Sequence, residues 1–519
     1  MITGRDSHTT MKFLRTITGR IVIVGTMIAI QVVWFLLFMY KLTDYSLGIN
    51  IALKTLSLFV VLHIMGKNNN PASKLAWIIP VMAFPLLGGL LYLVLYQRKP
   101  ARKLRHRMEA SEARIRPMMK VQNGICEKVQ DTDPAAAGQM RYIQNICHMS
   151  PHAETDTVYF SSGEEFLPVF LEKLKQAKHY IFMEYFIIHE GVMWNQILEV
   201  LKEKVSEGVD VRVIYDDVGS LTYLPPDYHD QLEATGILCE AFNPFVPFVS
   251  TIMNHRDHRK ITVIDGYIGF TGGLNFGDEY INVTNRYGYW KDNAIMLTGE
   301  GVWNLNVMFL TMWNSIRRTD SSFEQYRPRV FHPEPFAGNG YVQPYHDTPL
   351  DDENVGENVY LNLINGSQHH LTILNPYVVL DNEMITALGL AAKRGVEVSL
   401  VVPGTSDSWL VSKLADTYYP QLMEQGVKIY RYQPGFIHEK VFVSDGKAAT
   451  VGTFNLDYRS LYLHFECGVF LYRTDSVRQV EADAAQVLSQ CEPLTMEMIE
   501  KGFFVGMLQR ILRIFAPLI

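Results

Sequence analysis

Cysteine is scarce in this chain. The five present (Cys126, Cys147, Cys239, Cys467 and Cys491) are odd in number and scattered, with no CxxC pair and no Cys/His cluster at metal-ligand spacing. That argues against a disulfide framework and a zinc module, and for reduced thiols in a cytosol-facing protein. A basic excess is missing too: 47 Lys+Arg stand against 54 Asp+Glu, a formal charge of −7. A nucleic-acid binder needs a basic surface to displace counterions from phosphates, so no nucleic acid is expected as a partner. Charged residues make up only 19% of the 519 positions and hydrophobic ones 48%. Such a chain has a large core, or part of it sits in lipid.

The apolar excess lies at the front. Residues 21–40, IVIVGTMIAIQVVWFLLFMY, contain one strongly polar side chain, Gln31, over the length a helix needs to cross the hydrocarbon core. A second run, 45–65, is interrupted by Lys54, and a third, 75–96, carries Pro80, Pro85, Gly88 and Gly89. Residues 1–97 therefore read as a membrane-anchoring region. Basic residues precede the first run (Lys12, Arg15, Arg20) and a denser set follows the third (Arg98, Lys99, Arg102, Lys103, Arg105, Arg107). The positive-inside rule wants both flanks cytoplasmic, which three full crossings cannot satisfy. The denser cluster decides, and places the chain after about residue 97 in the cytoplasm. Residues 98–157 read as a basic and polar linker.

An internal repeat follows. In residues 158–340, a strand at Tyr180–Phe186, a helical stretch and a strand at Val209–Tyr215 succeed one another. In residues 341–480 the same order returns with strands at Leu371–Tyr377 and Val396–Val402. The junctions EGVDV (207–211) and RGVEV (394–398) nearly coincide. Strands alternating with helices imply β-α-β units, so the expected fold is α/β: two fused copies, each a largely parallel or mixed sheet flanked by helices, behind the N-terminal transmembrane region. Residues 481–519 read as C-terminal helices. Their tail interleaves Arg510 and Arg513 with apolar residues, which suits a helix at a lipid interface as well as one docked on the protein.

Each copy ends in one constellation. His258, Lys260 and Asp265 precede Gly272, Gly273 and Asn275; His438, Lys440 and Asp445 precede Gly452, Thr453 and Asn455. The pattern H-x-K-x4-D…G-x-x-N thus occurs twice, 180 residues apart. Positions i and i+2 of a strand face one side, so each histidine and its lysine point into one space. This chemistry suits a phosphodiester. Lys260, Asn275, Lys440 and Asn455 supply donors to phosphoryl oxygens, a neutral imidazole can attack phosphorus, and a second, protonated one can donate to the leaving oxygen. A carboxylate on the far ring nitrogen would fix the tautomer. Asp292 and Glu466, on apolar segments downstream of the two motifs, are the candidates. Asp265 and Asp445 complete the motif, yet each lies five residues past its lysine, on the order of 16 Å along an extended strand, which predicts a structural role. No metal or other cofactor is expected.

The duplicated motif resembles the signature of the phospholipase D superfamily, and its surroundings are similar to the bacterial cardiolipin synthases within it. The strings that carry the likeness are Asn254–Ile261, Phe270–Tyr280, Asn455–Ser460 and, in the apolar region, Ala76–Pro80 with Pro85 and Gly88. The resemblance spans roughly residue 45 to the C-terminus. It implies a multi-pass protein of the bacterial cell membrane whose lipid partner, phosphatidylglycerol, is both donor and acceptor. His258 would attack one phosphatidylglycerol while His438 protonates the departing glycerol; His438 would then activate the second lipid to give cardiolipin. A hydrolytic phospholipase D is the alternative, and a phosphodiesterase or nuclease a weaker one. Two departures stand out: Glu439 lies between His438 and Lys440 where a small residue is common, with altered head-group contacts as the expected effect, and the 21–40 run precedes the usual hairpin. Glu184 and Tyr185 are candidates to line the pocket or to pack in the strand, His255 for a head-group contact or a turn, and Phe242–Phe248 for a segment over the site or an ordinary loop.

Overall fold

The computed structural model describes residues 32, 33, 36, 37, 47–67, 70–84, 88, 89, 92, 101–119, 124–245, 254–320, 322–499 and 503–518. The 21–40 run lies almost wholly outside them, as do the end of the 75–96 run and the last three residues of Phe242–Phe248. The chain divides into two units. One holds residues 1–100, 245–253 and 514–518, and the other holds the rest.

In the smaller unit, helix α1 (Leu47–Met65) is followed by α2 (Pro71–Ala83), whose first turn is capped by the Asn70 side chain accepting from the Ala72 amide. Ile64, Trp77, Val81 and Tyr92 form a small buried cluster. Ile51, Leu56, Phe59, Leu62, Leu75, Ile79 and Met82 remain exposed. Among the described residues no helix is long and apolar enough to cross a membrane.

The larger unit contains two mixed sheets. The first is built from β1 (Thr155–Phe160), β2 (Tyr180–Tyr185), β3 (Asp210–Asp216), β4 (Leu238–Phe242), β5 (Lys260–Ile264), β6 (Ile268–Gly272) and β8 (Ala294–Gly299), in the order β1-β8-β6-β5-β2-β3-β4. The short β7 (Tyr289–Lys291) stands apart from it. The second sheet comprises β9 (Tyr341–Asp347), β10 (His370–Leu374), β11 (Glu397–Pro403), β12 (Lys428–Tyr432), β14 (Val441–Ser444), β15 (Ala448–Gly452), β16 (Glu466–Tyr472) and β17 (Cys491–Pro493). Its order is β17-β12-β11-β10-β14-β15-β16-β9. Apart from β17 the two orders correspond strand for strand, as the repeat predicts.

The strands are less parallel than the β-α-β grammar suggests. Within the two large sheets, only β2-β3-β4 and β10-β11-β12 pair in parallel among the described residues. The motif strands form hairpins, β5 with β6 and β14 with β15, because a turn of a few residues can join only antiparallel neighbours. Asp265 and Gly266 in one turn, Asp445 and Gly446 in the other, all have positive φ.

Sheet one begins at Thr155, inside the segment read as a linker, and β17 extends sheet two past residue 480. The linker segment itself folds. Ala101–Ile115 and Pro134–Cys147 are helices, and the latter buries Met140 and Ile143 while Gln139 donates to the Val359 carbonyl. A helix over Val302–Ile316 is buried for nearly its whole length and packs on β2, β5, β6 and β9, and its buried Asn304, Asn306 and Asn314 are hydrogen-bonded. The tail helix Phe503–Phe515 is docked: Gln509 donates to the Lys413 carbonyl, and Arg513 to Thr417 and Gln421, while Met507 and Ile511 stay exposed.

Candidate active site

The two motifs meet through backbone pairing between the repeats. The strand β13 (Gly435–Ile437) pairs in parallel with β7, with Ile437 opposite Lys291, and an isolated parallel bridge sets Asp257 opposite Phe465. The next backbone bonds follow the same register: His438 N donates to Lys291 O at 2.7 Å, and His258 N to Phe465 O at 2.9 Å. In a parallel pair, the residues following two partners are themselves neighbours. His438 therefore lies beside Asp292, and His258 beside Glu466.

Both expected carboxylates hydrogen-bond the histidines, but each bonds the histidine of the other repeat. The His258 Nδ1 is 2.9 and 3.0 Å from the two Glu466 oxygens, and the His438 Nδ1 is 2.7 Å from Asp292 Oδ2. A carboxylate at Nδ1 holds the proton there and leaves the Nε2 lone pair free. Each carboxylate has its own support. Asp292 accepts from the Asn293 amide at 2.9 Å, and Glu466 accepts from the Thr453 hydroxyl. Gly273 matches Thr453 in the first copy and must be glycine, because a Cβ there would overlap Asp292 Oδ1.

Both imidazoles are only 6% exposed. Burial pulls the His258 pKa down to about 3 and that of His438 to about 4, aided by the neighbouring lysines and opposed by the carboxylates. Both rings are therefore neutral near pH 7. Glu466 stays ionised: burial pushes its pKa up, and His258 more than offsets this. Lys260 and Lys440 donate from Nζ to the carbonyl oxygens of His258 and His438 in their own motifs, the first at 2.7 Å. Burial lowers their pKa values to about 8 and about 7. The charge of Lys260 also lowers the Lys440 pKa, and two ammonium groups this close together suit an anion.

Asn275 donates to the Tyr280 hydroxyl at 2.7 Å and accepts from the Ile187 amide at 3.1 Å. Asn455 is buried, and its Oδ1 has no hydrogen-bond partner among the described residues. Aromatic rings wall the histidines: Phe186 is edge-on to His258, with ring centres 4.9 Å apart, and Tyr280, Trp290 and Phe436 surround His438.

Several sequence candidates lie elsewhere. Asp265 and Asp445 belong to the motif but not to the centre. Asp265 accepts from the amides of Lys178, His179 and Tyr180 at 2.8–2.9 Å, and Asp445 from those of Gln368, His369 and His370 at the same distances. They fasten the hairpin turns to the start of β2 and β10. Asp265→Ala is expected to lower stability by roughly 1–3 kcal/mol through the orphaned amides. Its kcat should stay within a few-fold of the parent's, and a large loss of kcat in folded protein would contradict the structural role.

Tyr185 packs on Phe276 and bonds Thr262, and Glu184 is buried beside Arg259, so neither lines the pocket; Phe186, the next residue, does. Glu439 does not join His438 and Lys440 at the centre either. Strand alternation turns it to the opposite face from its neighbours His438 and Lys440, where it pairs with Lys291 at 2.6 Å; Asp483 binds the same lysine at 2.8 Å. His255 ties the repeats together, its Nδ1 lying 3.1 Å from the Leu463 carbonyl. Sequence reasoning missed Thr453 as a support and His464 as a third buried ring, 5.7 Å from His258 between ring centres. The only signal for His464 was its spacing, two residues before Glu466.

A duplicated α/β unit that brings two His/Lys pairs onto one anion site defines a phospholipase D-like protein. Residues 170–295 and 360–488 match the family described as "Cardiolipin synthase, PLD-like domain", and residues 55–95 match a phospholipase D-nuclease N-terminal family. A cardiolipin synthase of Geobacillus sp. (strain WCH70) is 33% identical over 91% of this chain and 94% of its own. One of Alkalihalophilus pseudofirmus is 32% identical over 92% and 95%. The chain belongs to the phospholipase D-like cardiolipin synthase family. Among solved structures, a phosphatidylserine synthase of Haemophilus influenzae Rd KW20 shares the fold with a TM-score of 0.55, at 15% identity over 73% of this chain and 97% of that one.

Proposed function

We propose that the protein is a cardiolipin synthase that transfers a phosphatidyl group between two molecules of phosphatidylglycerol through a phosphohistidine. The observation that carries this is the pair of buried histidines, each holding its proton on a carboxylate at Nδ1 and each beside a lysine. Lys260 and Lys440 leave their carbonyl partners to hold the phosphoryl oxygens, together with the amides of Asn275 and Asn455. As the lipid binds, His438 takes up a second proton, at Nε2, from solvent; the His258 Nε2 attacks phosphorus, the P–O bond to glycerol breaks, and His438 gives the departing oxygen that Nε2 proton. The bound phosphodiester supports that protonation, because its negative charge opposes the lysines that depress the His438 pKa. His438, now neutral, takes the proton from a head-group hydroxyl of the second lipid. The new P–O bond forms, the P–N bond breaks, and the electron pair returns to His258.

Phosphatidylglycerol vesicles with the purified protein should yield cardiolipin and an equal amount of free glycerol. Phosphatidic acid alone would replace transfer by hydrolysis. Acidic phospholipid rather than nucleic acid is the proposed partner. The apolar N-terminal runs and the exposed apolar side chains of α1 and α2 support a multi-pass membrane anchor, and the basic cluster at 98–107 supports a cytoplasmic catalytic unit.

The depressed lysines set a pH dependence. A lysine serves the anion only while protonated, and its protonated fraction falls as pH rises through its pKa. The alkaline limb of kcat/KM is therefore expected between about 7 and about 8, far below the usual lysine value of about 10.5. Lys440→Arg should move that limb to higher pH whatever it does to the plateau; an unmoved limb would remove Lys440 from the assignment.

A further inference from the structure

We propose that His258, His464 and Glu466 form a binding site for a divalent cation of the zinc type, and that occupying it switches the enzyme off. The inference rests on His258 being the nucleophile. The ligand atoms of these three side chains all lie within 4.8 Å of one another. The His258 Nδ1 is 2.9 Å from Glu466 Oε2, and the His464 Nδ1 is 3.7 Å from Glu466 Oε1. A tetrahedral zinc with bonds of about 2.0–2.2 Å spaces its ligands about 3.4 Å apart, between those two separations.

His464 is the independent observation. It is 8% exposed, and neither ring nitrogen has a hydrogen-bond partner among the described residues. A buried polar ring without partners is costly, and most native structures avoid it. Its position is nonetheless fixed: the His464 amide donates to Arg459 O, that of Phe465 to Arg256 O, and that of His258 to Phe465 O. The backbone holds this ring against the catalytic pair without using its nitrogens. Thr453 engages Glu466 Oε2, and Oε1 lies between the two rings, 3.0 Å from the His258 Nδ1 and 3.7 Å from the His464 Nδ1. Two imidazoles and one carboxylate favour zinc or cobalt, whereas magnesium and calcium prefer oxygen donors.

The inhibitory effect follows from proton placement. A neutral imidazole carries one N–H, which at His258 lies on Nδ1, against Glu466. A metal taking the Nδ1 lone pair requires the other tautomer, so the proton moves to Nε2 and no lone pair remains there to attack phosphorus. No proton is released overall and nothing is oxidised. A chain of conserved proton count thus has two states, one with a nucleophile and one without.

The test uses the full chain, stripped with EDTA and dialysed. Cobalt should bind one per chain with visible absorption bands, and zinc should displace it. Zinc should suppress cardiolipin formation in phosphatidylglycerol vesicles, and EDTA should restore it. His464→Asn should raise the zinc concentration for half-inhibition by about 10- to 100-fold. Should that variant fail to fold, the parent protein still decides the matter: zinc must raise its Tm where magnesium does not. No cobalt bands, no zinc-specific Tm shift, or equal zinc sensitivity in parent and folded variant would overturn the site. Cobalt binding by a protein that makes no cardiolipin would leave the site standing and refute the activity; cardiolipin synthesis without cobalt binding would refute the site alone.

Discussion

Alanine at His438 is expected to lower turnover on the order of 10²–10⁴-fold and to leave a phosphatidyl group on His258. His438 gives up its proton in the first half of the reaction and recovers it in the second. A good leaving group relieves the first need, but an acceptor hydroxyl must still lose its proton. The covalent species should therefore accumulate when the variant is given a phosphatidyl donor with an acidic leaving group, and mass spectrometry should find the label at residue 258. His258→Ala should lose on the order of 10⁴-fold or more and carry no label, since the assigned nucleophile is gone and His438 is assigned to proton transfer. Both substitutions remove rings in a well-supported pocket, so circular dichroism should show folded protein. A label on His438 in the His258→Ala variant would reverse the roles, and substantial turnover in either variant would refute the two-histidine scheme.

The second large effect belongs to the crossed carboxylates. Glu466→Gln keeps the size of the side chain but replaces the charge that fixes the His258 proton and supports its phosphorylated form. A loss of roughly 10²–10⁴-fold in kcat is expected, as for other histidines deprived of an orienting carboxylate. Asp292→Asn should cost a similar amount. The two differ in the half-reaction they slow. Although Glu466 lies in the second repeat, its loss should slow label transfer to His258 of the first. Loss of Asp292, in the first repeat, should slow both steps that His438 serves with a natural donor, and the acceptor step alone with a donor whose leaving group needs no proton. Rapid-quench measurement of the two steps separates them, and a Glu466→Gln variant within a few-fold of the parent in both would sink the crossed arrangement.

The sequence made the repeat and the contents of the site legible because both are local patterns. H-x-K puts two side chains on one face of a strand, and Asp292 and Glu466 stood out as acids within apolar runs. The pairing was not legible. His258 and Glu466 are 208 residues apart, and the bridge that joins them is a single pair of residues, Asp257 with Phe465. Nothing in either segment read alone states its partner. The sheet's direction misled for a related reason: the strand-helix-strand grammar describes β2 to β4 and β10 to β12, whereas the motif strands obey their turns. Glu439 looked like a change in the pocket because its two neighbours belong there, yet alternation turns it away to Lys291. The linker looked featureless by composition and folded because its apolar residues, Met140 and Ile143 among them, found partners over 200 residues on.

The exchange of carboxylates has the symmetry of an isologous dimer, in which residue i of one copy meets residue j of the other and the converse holds as well. A gene carrying one repeat would encode both the histidine and the acid and still lack a working centre until two products met. Fusion makes the encounter intramolecular, so that assembly no longer depends on protein concentration. It also frees the halves to differ, as Gly273 differs from Thr453 and Arg259 from Glu439. Neither half can be inherited alone with its chemistry intact.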